Sequence, residues 1–221
     1  MEFSSWLAFF FASWAISLSP GSGAVAAMNS GLTHGFKRGY ITTLGLVMGI
    51  WTQTLIVAAG LGAVVATSPR VFTAVQWAGA GYLMWLGVQQ LRAPVAGLAV
   101  GGGGDGREAQ ATVGQLLRRG WLVNITNPKG TVFLLAVLPQ FLNLQQPLWP
   151  QYLIMGLTLS FTDLVVMAGY TGLAAALLRS LRSPQHMRWV QRVFGLLFVA
   201  AGLALLLVRP VAAATVAAAG T

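Results

Sequence analysis

Apolar residues fall along this chain in six long runs, at approximately positions 4–27, 41–66, 71–91, 120–142, 152–178 and 189–208. Each has about the 20 residues that a helix needs to cross the hydrocarbon core of a bilayer. The first can continue as helix to about position 33, and the fourth can begin near Thr112.

Two of the six runs are interrupted. Ser19-Pro20-Gly21 sits inside the first and Asn127-Pro128-Lys129-Gly130 inside the fourth. Proline lacks a backbone N–H and clashes with the preceding turn, so each motif should break a helix. In lipid, freed backbone polar groups persist only where protein or a water-filled cavity satisfies them. One such motif reads most simply as a packing kink, since proline is fairly common in membrane helices. Two of them, at corresponding places in two half-repeats, point instead to a solute site between broken helices.

Other matches support the halving. Ser68-Pro69 and Ser183-Pro184, Val75-Gln76 and Val190-Gln191, and Gly87 and Gly202 all stand 115 positions apart. Three spans per half make the halves antiparallel, which is an inverted repeat. The expected fold is an all-α integral membrane protein with six transmembrane helices, arranged as an inverted three-plus-three repeat with helices one and four broken. Residues 1–95 would form the first repeat and residues 112–221 the second. Residues 96–111, rich in glycine, would be a flexible cytoplasmic linker. They contain no GxxxxGK[ST] phosphate loop.

Composition agrees. The chain is 56% hydrophobic and 8% charged, against about 25% charged in soluble domains. It has no cysteine, which excludes disulfides, thiol redox chemistry and cysteine-based metal sites. The net charge of +9 does not indicate nucleic acid, because the basic residues sit in short loops between apolar runs. Ten of the thirteen lie in or at the edges of the first, third and fifth loops: Lys37, Arg38, Arg92, Arg107, Arg118, Arg119, Arg179, Arg182, Arg188 and Arg192. The positive-inside rule then places those loops in the cytoplasm and both termini on the periplasmic side of an inner membrane. Ala24-Val25-Ala26 has the look of a signal-peptidase site, but Met1-Glu2 supplies no basic n-region. The first run is therefore expected to stay as a helix.

Candidate chemistry concentrates near the breaks. Asp163 is the one acid of four that falls within a span, and an intramembrane carboxylate by default marks a function. Lys129 is the one base well inside a span, Arg192 standing at the loop end of the sixth run. It could snorkel to the interface, pair with Asp163, or attract a substrate carboxylate. A half-helix ending at Ser19 leaves carbonyls that suit an ammonium. Half-helices starting beyond Gly21 or near Pro128 present N–H groups that suit a carboxylate. A zwitterionic amino acid offers both charges. Ser22, Asn124, Thr126 and Asn127 could add neutral hydrogen bonds or serve as helix caps. Gln53 matches Asp163 in placement (Thr52-Gln53, Thr162-Asp163) and is a candidate for the same cavity. Tyr170, seven residues after Asp163 on the same helical face, is a cavity hydroxyl or an interfacial anchor. Trp6, Trp51, Trp121, Trp149 and Trp189 stand near span ends, as interface anchors would. Gly79, Gly81 and Gly87 suit close helix packing.

Enzyme chemistry finds no footing. His34 and His186 are both loop residues, and Gly21-Ser22-Gly23 has no intramembrane histidine base. No metal cluster and no cofactor are expected.

The motifs together resemble the lysine exporter superfamily, and within it the homoserine/threonine (RhtB-type) efflux branch. The resemblance rests on Ser19-Pro20-Gly21, the turn Gly35-Phe36-Lys37-Arg38-Gly39, Asn127-Pro128-Lys129-Gly130, Leu138-Pro139-Gln140-Phe141, and Thr162-Asp163 with Tyr170. It covers nearly the whole chain. It implies a six-span inner-membrane exporter of amino acids driven by proton exchange, with Pro20-Gly21 and Asn127-Pro128-Lys129 on the signature motifs and Asp163 on an acidic position of the fifth span. Family members usually continue the first motif as Pro-Gly-Pro-Asn, whereas this chain reads Pro20-Gly21-Ser22-Gly23.

The expected function is thus secondary active export of an amino acid or close derivative. Asp163 would couple protons, and substrate would contact Ser19, Pro20, Gly21, Ser22, Gln53, Asn124, Thr126, Asn127, Pro128, Lys129 and Tyr170. Expected partners are that solute, protons and membrane lipid, with a homo-oligomer left open. Export of another small solute such as a metal cation would call for more convergent acids than one. A membrane scaffold or assembly factor would not call for the intramembrane Asp and Lys.

Overall fold

A computed structural model describes residues 1–67, 69–92 and 111–176, together with 192, 196, 199, 200 and 203. Seven helices and no strand occur among them. They are α1 (Phe3–Leu18), α2 (Ser22–Gly39), α3 (Ile41–Thr67), α4 (Pro69–Arg92), α5 (Val113–Ile125), α6 (Pro128–Phe141) and α7 (Leu148–Ala176). The expected sixth run at 189–208, the glycine-rich linker and the fifth loop lie outside the described residues, apart from those few positions.

Both expected breaks are present. α1 and α2 meet at 55° and α5 and α6 at 58°. α3 and α7 are each long and apolar enough to cross a membrane, and each bent pair qualifies when taken together. α4 covers the expected third run in 24 residues. Gln76, Gln89 and Gln90, with an arginine near each end, make it less apolar than α3 and α7.

The local chemistry explains the ends. Thr112 starts α5 through a capping box, its hydroxyl accepting from the Gln115 N–H while the Gln115 side chain accepts from the Thr112 N–H. Asn127 caps α6 through its side chain, with Pro128 at the first helical position. Proline suits that position because its missing N–H would have no partner in the helix anyway.

α3 lies mainly along α5, α7 along α2 and α1, and α4 along α6. The α3–α5 crossing is backbone on backbone. A Cβ on Gly45 would overlap the Leu117 carbonyl, and one on Gly120 would overlap the Thr42 carbonyl. Only glycine permits this approach. Gly79 plays the same part against Ala136, whereas Gly81 faces open space, so it has no packing role among the described residues.

The long helices are apolar outside and polar inside. α3 exposes Leu44, Met48, Leu55 and Ile56 while burying Thr42, Thr43, Gln53 and Thr54. α7 exposes Leu153, Leu157, Phe161 and Val165 while burying Thr158, Ser160, Thr162 and Asp163. Two apolar clusters flank this polar interior. One centres on Phe9, Phe133, Leu134, Leu138, Met155 and Leu159, and the other on Ala24, Met28, Leu46, Val166 and Met167.

The tryptophans divide. Trp149 is exposed at the start of α7, as an interface anchor would be. Trp6 and Trp121 instead donate their indole N–H groups to Thr158 and Thr52, and the Trp51 ring fills the space beside Gly156. These three join helices, because each faces a neighbouring helix that offers a hydroxyl or a glycine gap.

Candidate functional site

Each break creates orphaned carbonyls, and each is served by a side chain from a helix distant in sequence. In an uninterrupted helix the N–H of residue 128 would bond the carbonyl of Asn124. Pro128 has no N–H, so that carbonyl needs other donors. Gln53 from α3 supplies its amide at 2.8 Å, and the Asn127 N–H approaches at 3.0 Å. The same Gln53 nitrogen lies 2.8 Å from the Thr131 hydroxyl. The Asn124 side chain in turn donates to the Leu46 carbonyl at 2.6 Å, which ties the break to α3 a second time. At the first break α1 ends at Leu18, and the Tyr170 hydroxyl of α7 donates to the Leu18 carbonyl at 2.8 Å.

The two breaks touch each other. Lys129 Nζ donates to Ser19 Oγ at 2.5 Å, and the Asn127 side chain accepts from the Lys129 N–H at 3.1 Å. One step along α1, Ser17 shares a hydrogen bond of 3.2 Å with Thr162. That contact fixes α1 against the turn of α7 that carries Asp163, which is only 9% exposed.

Between these groups lies a cavity of about 80 Å3, room for several waters at roughly 10–15 Å3 each. Its polar wall holds Ser17, Ser19, Gln53, Asn124, Asn127, Lys129 and Asp163. The apolar clusters close it with Leu46, Phe133, Leu134, Leu159 and Met167, joined by Ile16 and Ile50. Lys129 and Asp163 thus line one small, partly open cavity that brings a base and an acid together.

Of the residues singled out in the sequence, Ser19, Gly21, Gln53, Asn124, Asn127, Lys129 and Asp163 line this cavity. Pro20, Ser22, Thr126, Pro128 and Tyr170 are not part of its wall. Pro20 and Pro128 shape the breaks. Ser22 opens α2. Thr126 faces outward and bonds back to the Leu122 carbonyl at 2.7 Å. Tyr170, read as a cavity hydroxyl or an anchor, spends its hydroxyl on the Leu18 carbonyl.

Sequence reasoning missed Ser17, Thr131 and the apolar wall. Ser17 carried a weak signal, a hydroxyl in an otherwise apolar run two residues before the break. Leu46, Phe133 and Met167 carried none, since nothing separates a cavity-facing apolar side chain from a lipid-facing one without the packing.

Paired helix breaks around a cavity that holds both an acid and a base define a membrane translocator. The profile of the LysE type translocator family matches residues 14–209, and the chain belongs to that family. It is 40% identical over 204 residues to a homoserine/homoserine lactone efflux protein of Salmonella typhimurium, covering 91% of this chain and 96% of that one. It is 39% identical over 207 residues to an uncharacterized membrane protein of Vibrio cholerae, covering 93% and 98%. A leucine efflux protein of an Enterobacter strain is 29% identical over 186 residues, covering 83% and 86%. No solved structure shows a significant match.

Proposed function

We propose that the chain exports a small amino acid or its lactone across the inner membrane, with substrate held in the cavity between the two breaks. The observation that carries this reading is that Lys129 and Asp163 line one enclosure. The related efflux proteins are named for homoserine, its lactone and leucine. These three solutes share an α-ammonium, and homoserine and leucine also carry a free carboxylate. Asp163 receives the ammonium. Lys129 exchanges its Ser19 contact for the carboxylate when one is present.

Export is coupled to proton entry. Asp163 loses its proton to the cytoplasmic side to admit the ammonium, and regains one from the outside as substrate leaves. The spans number six and form an inverted repeat, with the termini outside. Two bent pairs, each served by a long helix of the other half, support this arrangement. Gln53 of α3 serves the second break and Tyr170 of α7 serves the first.

The test is resistance. Cells producing the chain should survive an excess of homoserine, its lactone or leucine that stops control cells, and Asp163→Asn should remove the protection. No protection by any of the three, with the protein present in the membrane, would overturn the reading.

A further inference from the structure

Three glycines line the cavity, and they differ in what surrounds them. A Cβ on Gly21 would approach Lys129 at 3.8 Å, and one on Gly130 would stand 3.1 Å from the Gln53 amide oxygen. Both therefore border the polar groups of the breaks. Gly23 borders neither. Among the described residues its Cβ would meet only the two methyls of Leu46, at 3.6 and 3.7 Å, which is ordinary contact with the apolar wall.

Among the described residues, neither packing nor backbone conformation requires glycine at this position. Gly35 alone has positive φ among the described glycines, so Gly23 is not there for an unusual backbone. No backbone crosses close to it, in contrast to Gly31, whose Cβ would overlap the Thr171 carbonyl. It lies in the first turn of α2, where glycine is a poorer helix former than alanine by up to about 1 kcal/mol. The chain thus accepts a weaker helix and gains only empty volume beside Leu46, on the cavity side.

We infer that Gly23 sets the size of the substrate side chain, with Leu46 as the opposite wall of the same subsite. This rests on the cavity being the substrate site. Ammonium and carboxylate are engaged at Asp163 and Lys129, so the rest of the solute extends toward the apolar wall. The space over Gly23 admits a branched or cyclic side chain that a β-carbon there would exclude.

The experiment uses the full chain in proteoliposomes. Counterflow of radiolabelled alanine, homoserine, homoserine lactone and leucine is measured for wild type, Gly23→Ala, Gly23→Val and the double variant Gly23→Val/Leu46→Ala. Gly23→Ala favours the helix, so it provides a folded variant. Gly23→Val should lower the leucine-to-alanine ratio at least about tenfold, the scale of one or two methylenes in an apolar pocket. Gly23→Ala should lower it less, and the added Leu46→Ala should restore leucine. Equal loss of every solute, or an unchanged ratio in both single variants, would overturn the role of Gly23. Asp163→Ala and Lys129→Ala serve as separate controls. If both leave counterflow intact, the cavity itself is not the substrate site. If they abolish it while the Gly23 variants keep the wild-type ratio, only the size-determining role fails.

Discussion

Lys129 of the second helix break donates a 2.5 Å hydrogen bond to Ser19 of the first, a contact spanning 110 positions of sequence. Both residues line the cavity, and on the proposed reading the Lys129 ammonium meets the substrate carboxylate there. Lys129→Gln keeps a hydrogen-bond donor but removes the charge. Export of homoserine and leucine should fall at least about tenfold, the scale of a charge-assisted hydrogen bond of 1.5–3 kcal/mol. Export of homoserine lactone, which has no carboxylate, should fall much less. Initial efflux rates from preloaded cells measure both, and an equal fall would assign Lys129 to the architecture of the break.

The proposed proton coupling rests on Asp163. Asp163→Asn keeps size and polarity but cannot ionise. Efflux driven by an imposed pH gradient should stop, while exchange of labelled for unlabelled substrate should survive in part. Vesicles carrying either protein allow the two assays side by side. Undiminished pH-driven efflux in the variant would remove Asp163 from the proton cycle.

The carbonyls freed at the breaks set a stability order. Gln53→Leu withdraws the amide shared by the Asn124 carbonyl and the Thr131 hydroxyl, at a cost of about 1–3 kcal/mol for under-satisfied buried groups. Tyr170→Phe withdraws one hydroxyl from Leu18, worth about 0.5–1.5 kcal/mol. Thermal unfolding in detergent should therefore rank wild type above Tyr170→Phe and Tyr170→Phe above Gln53→Leu. Pro128→Ala should partly offset Gln53→Leu, because a new N–H becomes available to Asn124.

Orientation is open to direct labelling, since the chain has no cysteine of its own. On the proposed topology, a single cysteine at position 103 should react with a membrane-impermeant maleimide only after cells are opened. One at position 145, in the loop before α7, should react in intact cells. The reverse pattern would invert the topology.

The breaks were legible in the sequence because proline leaves a local mark: a missing N–H must disturb a helix wherever it falls. Asp163 and Lys129 were legible for a similar reason, since a charge in an apolar run is conspicuous. The partners that satisfy the breaks were less so. Gln53 was recognised by its placement relative to Asp163, but its bond to Asn124 depends on how α3 crosses α5. Tyr170 was found by helical spacing, which gives the face but not the recipient of its hydroxyl. Gly23 was visible only as a departure from the resembled motif. That it adjoins the side chain of Leu46 is a fact of packing.

The bare contact at Gly45 and Gly120 has a mechanical consequence. Helices that meet through side chains can slide as rotamers change, but two backbones in direct contact have no such slack. α5 is thereby clamped to α3 and belongs to the frame of the molecule. α6 meets α4 in the same bare way at Gly79 and Ala136, so a change of angle at Asn127 would have to carry α6 and α4 together as one body, with Lys129 at its root.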